Sequence, residues 1–363
     1  MKKGFFALVM CFLLFASGCS GGGGDKQAGA PKDDGKVYTV KVADAFPATH
    51  FFTVNGLNKY MKMVEERSKG RIKFEHYPGG QLGKQVDMIE LVKNGVADMA
   101  VVGPSYVSGK VPLSNVFDLP GIYPNSRVGA EAFWHLSQGI LYDEEFKKHK
   151  IRPVFNMAYN PNDLFYNNSS GKLITKPEDI KGMRFRVPGV SAEMGMLAMG
   201  GAPVNIVPQE MYEATYRGTV DGCVLAFEAL DQYKMQEVLK YATKGVNMNG
   251  WIATYCVNER FFNGLPKDLQ QLMIDCGLEA TIALGDHVTK SAEEYQIQYE
   301  KGGMKVYTLN AEEQQAFRNA TNPVVENWVK TQSGKGLPAQ KILDATRAKV
   351  AEVEQKVAAA KKQ

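Results

Sequence analysis

The sequence predicts an α/β protein made of two units of similar size with a cleft between them. Three observations carry that expectation. Strand and helix patterns alternate from Val37 to Val102 and restart beyond Ile151, the mark of parallel sheets covered by helices. The 363 residues correspond to two domains at about 150 residues each. A helical pattern from Pro266 to about Glu300 far exceeds the usual length of about 8 to 20 residues. Composition closes off other classes. With 44% hydrophobic and 23% charged residues, the chain is neither collagenous, nor disordered throughout, nor a polytopic membrane protein. A net charge of +4, from 43 basic and 39 acidic residues spread evenly, is no nucleic-acid footprint.

The first residues read as an address. Lys2 and Lys3 precede an apolar run from Phe5 to Phe15, then Ala16-Ser17-Gly18 and Cys19, the pattern of a secretory signal over 1–18. The run is too short for a bilayer span, which takes about 20 residues. Cys19 after small residues resembles a lipobox, so lipidation of Cys19 is expected, although Ala16 and Gly18 would also suit ordinary signal peptidase. Residues 19–36, rich in Gly and Asp with no large apolar side chain, are expected to form a flexible tether. Cys223, Cys256 and Cys276 sit in apolar stretches, as buried inert thiols do. An odd number of them gives no disulfide framework.

The remaining elements follow in order. Val37–Val42 alternates as a strand, a helical face of Val54, Leu57, Met61 and Val64 stops at Gly70, and Arg71–Tyr77 alternates again. After the Pro78-Gly79-Gly80 turn come a helix over Lys84–Asn94 and an apolar strand over Asp98–Val102. In the second half, strands are predicted at Ile151–Phe155, Leu164–Asn167, Met183–Val187, Val204–Val207, Val220–Leu225 and Trp251–Val257. Helices are predicted at Ser191–Met199 and Gln209–Arg217. Asn310 followed by Glu313 has the form of a capping box, and the Ala/Lys/Glu-rich stretch from Pro338 reads as helix.

Catalytic and metal motifs fail. Gly79–Lys84 is one residue short of a phosphate loop, and Gln85 replaces its Ser/Thr. Beyond the signal and tether there is no G-x-S-x-G, the chain has no H-E-x-x-H or C-x-x-C, and the five His have no ligand spacing. No cofactor or metal is expected. The segment with chemical promise is Met183-Arg184-Phe185-Arg186-Val187-Pro188-Gly189. In a strand both arginines share one face, and Arg186 stands at the carboxyl end, where ligands of α/β sheets bind. A guanidinium there can grip a carboxylate with two parallel bonds, although a surface arginine paired with an acid would have the same pattern.

Four stretches, in order, resemble the solute-binding proteins of TRAP (tripartite ATP-independent periplasmic) transporters, the DctP family. They are Tyr77–Gly83, Gly95–Ala100, Pro177–Pro188 and Glu210–Gly222, the last carrying Glu210-Met211-Tyr212-Glu213-Ala214 and Arg217-Gly218-Thr219-Val220-Asp221-Gly222. The resemblance implies a two-lobed periplasmic-binding-protein-like fold, with two α/β domains, a hinge and a long helix spanning both. It places 37–160 plus about 250–290 in domain I and 161–249 plus about 291–363 in domain II. It also implies an extracytoplasmic receptor, monomeric and not an enzyme, that delivers a small organic acid to small and large membrane subunits, with Arg186 salt-bridging the ligand carboxylate. Asp163-Leu164-Phe165 stands where many members carry a second arginine, and Cys223–Phe227 lacks an Asn often found there. A pocket with one cation and a more apolar wall follows, suited to a small carboxylate or sulfonate. Strand-end positions add Phe46, His50, Tyr106, Asn162, Leu225, Phe227, Asn249 and Trp251 as lining candidates. The competing expectations are a secreted enzyme, for which Asp221 and Glu228 are the only tempting carboxylates, and the sensing subunit of a signalling system.

Overall fold

The computed structural model describes residues 35–207 and 210–360; the signal, Cys19 and most of the tether lie outside the described residues. Its strands are β1 (Tyr38–Ala43), β2 (Ile72–Tyr77), β3 (Met99–Val102), β4 (Ile151–Ala158), β5 (Asp163–Tyr166), β6 (Arg184–Arg186), β7 (Ala202–Val204), β8 (Gly222–Leu225), β9 (Tyr241–Lys244), β10 (Ile252–Asn258) and β11 (Lys305–Thr308). They form a five-stranded sheet in the order β2-β1-β3-β10-β4 and a six-stranded sheet in the order β11-β9-β5-β8-β6-β7. Each sheet is the centre of one lobe.

The α-helices are α1 (Asn58–Arg67), α2 (Met88–Lys93), α3 (Ser126–Ser137), α4 (Ile140–Glu144), α5 (Val190–Ala198), α6 (Met211–Tyr216), α7 (Glu259–Gly264), α8 (Lys267–Lys301), α9 (Ala311–Gly334) and α10 (Ala339–Ala360). None of the helices among the described residues is long and apolar enough to cross a membrane. Strand β3, buried on both faces, and the carboxyl end of β1 carry side chains into two cores. Val40, Val42, Met99 and Val101 pack with α8, while Ala43, Ala100 and Val102 meet α3 and α10. This is the layering a parallel sheet needs, because both of its faces must be covered.

The predicted sheets are not wholly parallel. β10 runs antiparallel to β3 and β4, and β5 antiparallel to β8 and β9. Both exceptions have one cause. β5 enters the second lobe from the first and β10 returns, so each starts at the edge where the chain crosses, while its neighbours end there. The two crossings pair with each other: Asn162 N–H donates to Asn249 O at 2.9 Å, Met248 N–H to Asn162 O at 2.8 Å and Tyr159 N–H to Trp251 O at 3.2 Å. The Tyr123 hydroxyl clamps them, bonding Tyr159 O and Trp251 O and accepting from Trp251 N–H at 2.8 Å.

The long helix is α8, as predicted. Leu284 and Val288 lie in the first lobe's core, Ala292 and Tyr299 in the second's. Gly277 lets it approach closely, since a Cβ there would lie 1.9 Å from Val154 O. A second helix, α9, also crosses, with Phe317 in the second core and Val324, Val325 and Trp328 in the first. Its predicted capping box is formed: Asn310 Oδ1 accepts from Glu313 N–H at 3.0 Å and Glu313 Oε2 from Asn310 N–H at 2.8 Å. The tail assigned to the second unit returns to the first, where Ile342, Leu343, Val350 and Val353 of α10 join the core beside α3. Lys356 at its far end reaches the buried Glu131 of α3 at 2.7 Å. An apolar stripe on a C-terminal helix says only that a partner exists. Here α3, unread in the sequence, supplies it.

Candidate functional site

In both lobes the carboxyl ends of the parallel strands point at the crossing segments. The first lobe presents the loop after β1 with Phe46 and His50, the turn after β3 with Tyr106, Tyr159 after β4, and Trp251 before β10. The second presents Arg186 at the end of β6, Asn162 before β5, and the segment after β8 with Phe227, Gln232 and Tyr233.

The resemblance motifs are mostly scaffold for this edge. Gly79 and Gly80 take left-handed backbone conformations (φ 64° and 75°), and their N–H groups donate to Phe46 O and Asp44 O, fixing the loop that carries Phe46. The Asp98 carboxylate accepts from Lys41 N–H at the far edge of the sheet. The Asp179 carboxylate accepts from Thr175 and Lys176 N–H, holding the turn that leads toward β6. Asp221 grips Arg184 through Nη2 at 2.7 Å and Nε at 3.2 Å. Gly222 is obligatory because a Cβ would lie 2.3 Å from Phe165 O.

Arg186 is different. It is 6% exposed, its Nε donates to Ile206 O at 3.0 Å, and among the described residues it has no acidic partner. Burial pulls its pKa below the usual guanidinium value, and the groups acting on it in the opposite sense are Cys223, Tyr233 and Tyr106. A guanidinium stays ionised even so, and a buried charge without a counterion is costly. Tyr106 belongs to the first lobe and Tyr233 to the second, so the cation is framed from both sides of the cleft.

The other candidates divide. Phe46, His50, Tyr106 and Trp251 come together with Tyr159 in one aromatic cluster. Phe46 stacks on His50 at 4.3 Å, Trp251 lies parallel to Phe52 at 5.7 Å, and Tyr159 is 5.2 Å from Trp251. Tyr106, 53% exposed, lies close enough to Trp251 and to Tyr233 of the second lobe for both to act on its hydroxyl. His50 Nδ1 accepts from Phe52 N–H at 3.2 Å and burial lowers its pKa, so the ring is neutral at pH 7.

Asn162 and Asn249 are brought together, but to one another: Asn162 Nδ2 donates to Asn249 Oδ1 at 3.0 Å and Asn249 Nδ2 to Gly250 O at 2.9 Å. Leu225 and Phe227 are buried in the second core, with Phe227 edge-on to Phe165 at 4.8 Å. Sequence reading missed Tyr159, Gln232 and Tyr233. Tyr159 follows β4 as Phe46 follows β1, a positional signal that was available. Nothing in the sequence marks Gln232 or Tyr233.

Three carboxyls lie behind the cleft. Glu228 is 3% exposed; its Oε1 accepts from Asn160 N–H and Nδ2 at 2.9 and 3.3 Å while Oε2 has no partner. Burial pushes its pKa up to about 7. Asp118, next to Ser105, is likewise raised by burial to about 7. Asp163, where a second arginine was sought, accepts from the N–H groups of Gly245, Val246 and Asn247 and is raised by burial to about 6. A separate hollow of about 760 Å³ opens among Lys93, Asp98, Lys150, Asn258 and Arg260. It is at the opposite edge of the first sheet, away from the converging strand ends, so the cleft is the better candidate.

Comparison with known proteins agrees with the two-lobed α/β fold. The chain is similar to a solute-binding protein of Albidiferax ferrireducens, 30% identical over 76% of this chain and 82% of that one. It is similar to the C4-dicarboxylate-binding periplasmic protein DctP of Rhodobacter capsulatus, 28% identical over 80% of this chain and 86% of that one. Among solved structures, a TRAP solute-binding protein from Rhodoferax ferrireducens in complex with copurified benzoate superposes with a TM-score of 0.75 at 24% identity, covering 88% of this chain and 100% of that one. The profile of bacterial extracellular solute-binding protein family 7 matches residues 45–332, which span both lobes, the hinge and Arg186; the chain belongs to that family, DctP, the solute-binding proteins of TRAP transporters.

Proposed function

We propose that this solute-binding protein captures a small organic acid between its lobes, with Arg186 gripping the carboxylate, and presents it to separate small and large membrane subunits. The observation that supports this reading best is the buried, acid-free guanidinium of Arg186. It needs an anion, and since no acid among the described residues supplies one, an anion entering the cleft would. The relatives' ligands named above, C4-dicarboxylates and benzoate, have the carboxylate in common. A sulfonate would satisfy the same fork. The receptor works outside the cytoplasm, and the lipid on Cys19 with its tether keeps it at the membrane surface.

The lobes close because the ligand touches both, so that binding favours the closed state. Nothing in the site favours the enzyme reading: Asp221 is committed to Arg184, and Glu228 faces Asn160 beneath the hinge. The test is a thermal-shift screen against carboxylates and sulfonates. A ligand at about 100 times its Kd should stabilise the fold by about 2.7 kcal/mol, and the acid should be recovered unchanged. Conversion of the acid, or no stabilisation by any anion, would overturn the reading.

A further inference from the structure

We infer that the ligand is an aromatic monocarboxylate, its ring held in a slot between the aromatic cluster of the first lobe and Tyr233 of the second. This rests on the receptor reading and narrows it. Among the described residues, Arg186 is a buried guanidinium without an acidic partner at this edge, Lys244, over the Phe227 ring, donates to Gln296 Oε1, and the Nδ1 of His50 accepts from Phe52 N–H. A second ligand carboxylate would therefore find no counter-charge, and it would approach the carboxyls of Asp118 and Glu228, which act on Tyr106 and Tyr159 respectively. A sugar acid fares no better. Its ring of hydroxyls needs many donors and acceptors, yet the Asn162 and Asn249 side chains at the crossing are bonded to each other. What the rings of Tyr106, Tyr159, Trp251 and Tyr233 add is flat aromatic surface. Tyr159 and Trp251 are 5.2 Å apart and partly open, and Tyr106, the most exposed ring of the group, faces Tyr233 across the gap. Rings prefer such offset or edge contacts with other rings.

The experiment is calorimetric titration of the purified chain with benzoate, phenylacetate and 4-hydroxybenzoate against succinate, malate and glucuronate, followed in parallel by tryptophan fluorescence. At least one aromatic acid should bind about tenfold or more tightly than every non-aromatic acid, the ratio expected from stacking alone. Its binding should change the Trp251 emission, a signal lost in Trp251→Phe. Tyr106→Ala, at an exposed position that tolerates truncation, should weaken the aromatic acid by about tenfold. A dicarboxylate or sugar acid that binds as tightly, and depends on Arg186, would overturn the aromatic assignment and leave the receptor reading standing. Failure of all six acids and of every anion in the wider screen would overturn both.

Discussion

At the scale of single residues, two adjacent arginine positions show how context divides one chemistry into two roles. Arg184 and Arg186 share a strand face, but Arg184 meets Asp221 at the exposed start of β6 and Arg186 ends in the cleft without an acid. Arg186→Ala should weaken ligand binding by about 2–5 kcal/mol, largely because the ligand carboxylate is then buried unpaired. Arg186→Lys should recover only part of that, because an ammonium is a point charge with no fork. Titration calorimetry measures both; a change below about threefold in Arg186→Ala would take the residue out of the site.

Glu228 yields a pH prediction. Its folded pKa of about 7, raised by burial, lies above that of an unfolded Glu, about 4.3. The native state thus keeps a proton that the unfolded chain gives up, and stability falls as pH rises through this window. Glu228→Gln removes the titration at nearly constant shape, so its melting temperature should gain on the wild type between pH 5 and pH 8. An equal gap at both values would contradict the assignment.

At the scale of elements, the crossings decide most of the architecture. Helix α8 lies so close to β4 and α3 that Gly277→Ala places a Cβ 1.9 Å from Val154 O and 2.7 Å from the Trp134 ring. The backbone cannot yield as a side chain would, so denaturant unfolding should show a loss of about 1–3 kcal/mol or more. Strands β1, β2, β3, β8 and β10, and helix α8, were legible because their periodicity is strong and Gly or Pro bounds them. Strands β9 and β11 pair at the edge of the second sheet; they are as short as β3 and β8 but lack the apolar run that marks those two. The antiparallel entry of β5 and β10 was hidden for another reason: strand direction depends on which lobe the chain comes from, and no local pattern encodes that. Of the site, Arg186 was legible from strand-end position and the aromatic wall in part. The pairing of Asn162 with Asn249 was not, because it joins residues far apart in sequence across two crossings.

At the scale of the whole molecule, four segments join the lobes: the paired crossings 159–162 and 248–251, and helices α8 and α9. The crossings can bend while the clamped hydroxyl of Tyr123 holds their first-lobe ends, which allows a hinge without loosening either core. Ligand that reaches Arg186 from one lobe and Tyr106 or Trp251 from the other favours the closed form only through contacts that the open form lacks. Small-angle scattering should therefore report a smaller radius of gyration on addition of a saturating acid to the wild type. The same addition to Arg186→Ala should leave it unchanged, whereas equal compaction in both would assign closure to other contacts.

The central claim, that one buried guanidinium receives the ligand's acid group between the lobes, is tested most directly by a crystal structure with a bound acid found in the thermal-shift screen. The account predicts the acid group on Arg186 through two parallel hydrogen bonds, with the ligand body against Tyr159 and Trp251. Density for the acid elsewhere, in the hollow beside Lys93 and Arg260 or at the surface, with Arg186 still unoccupied, would contradict it.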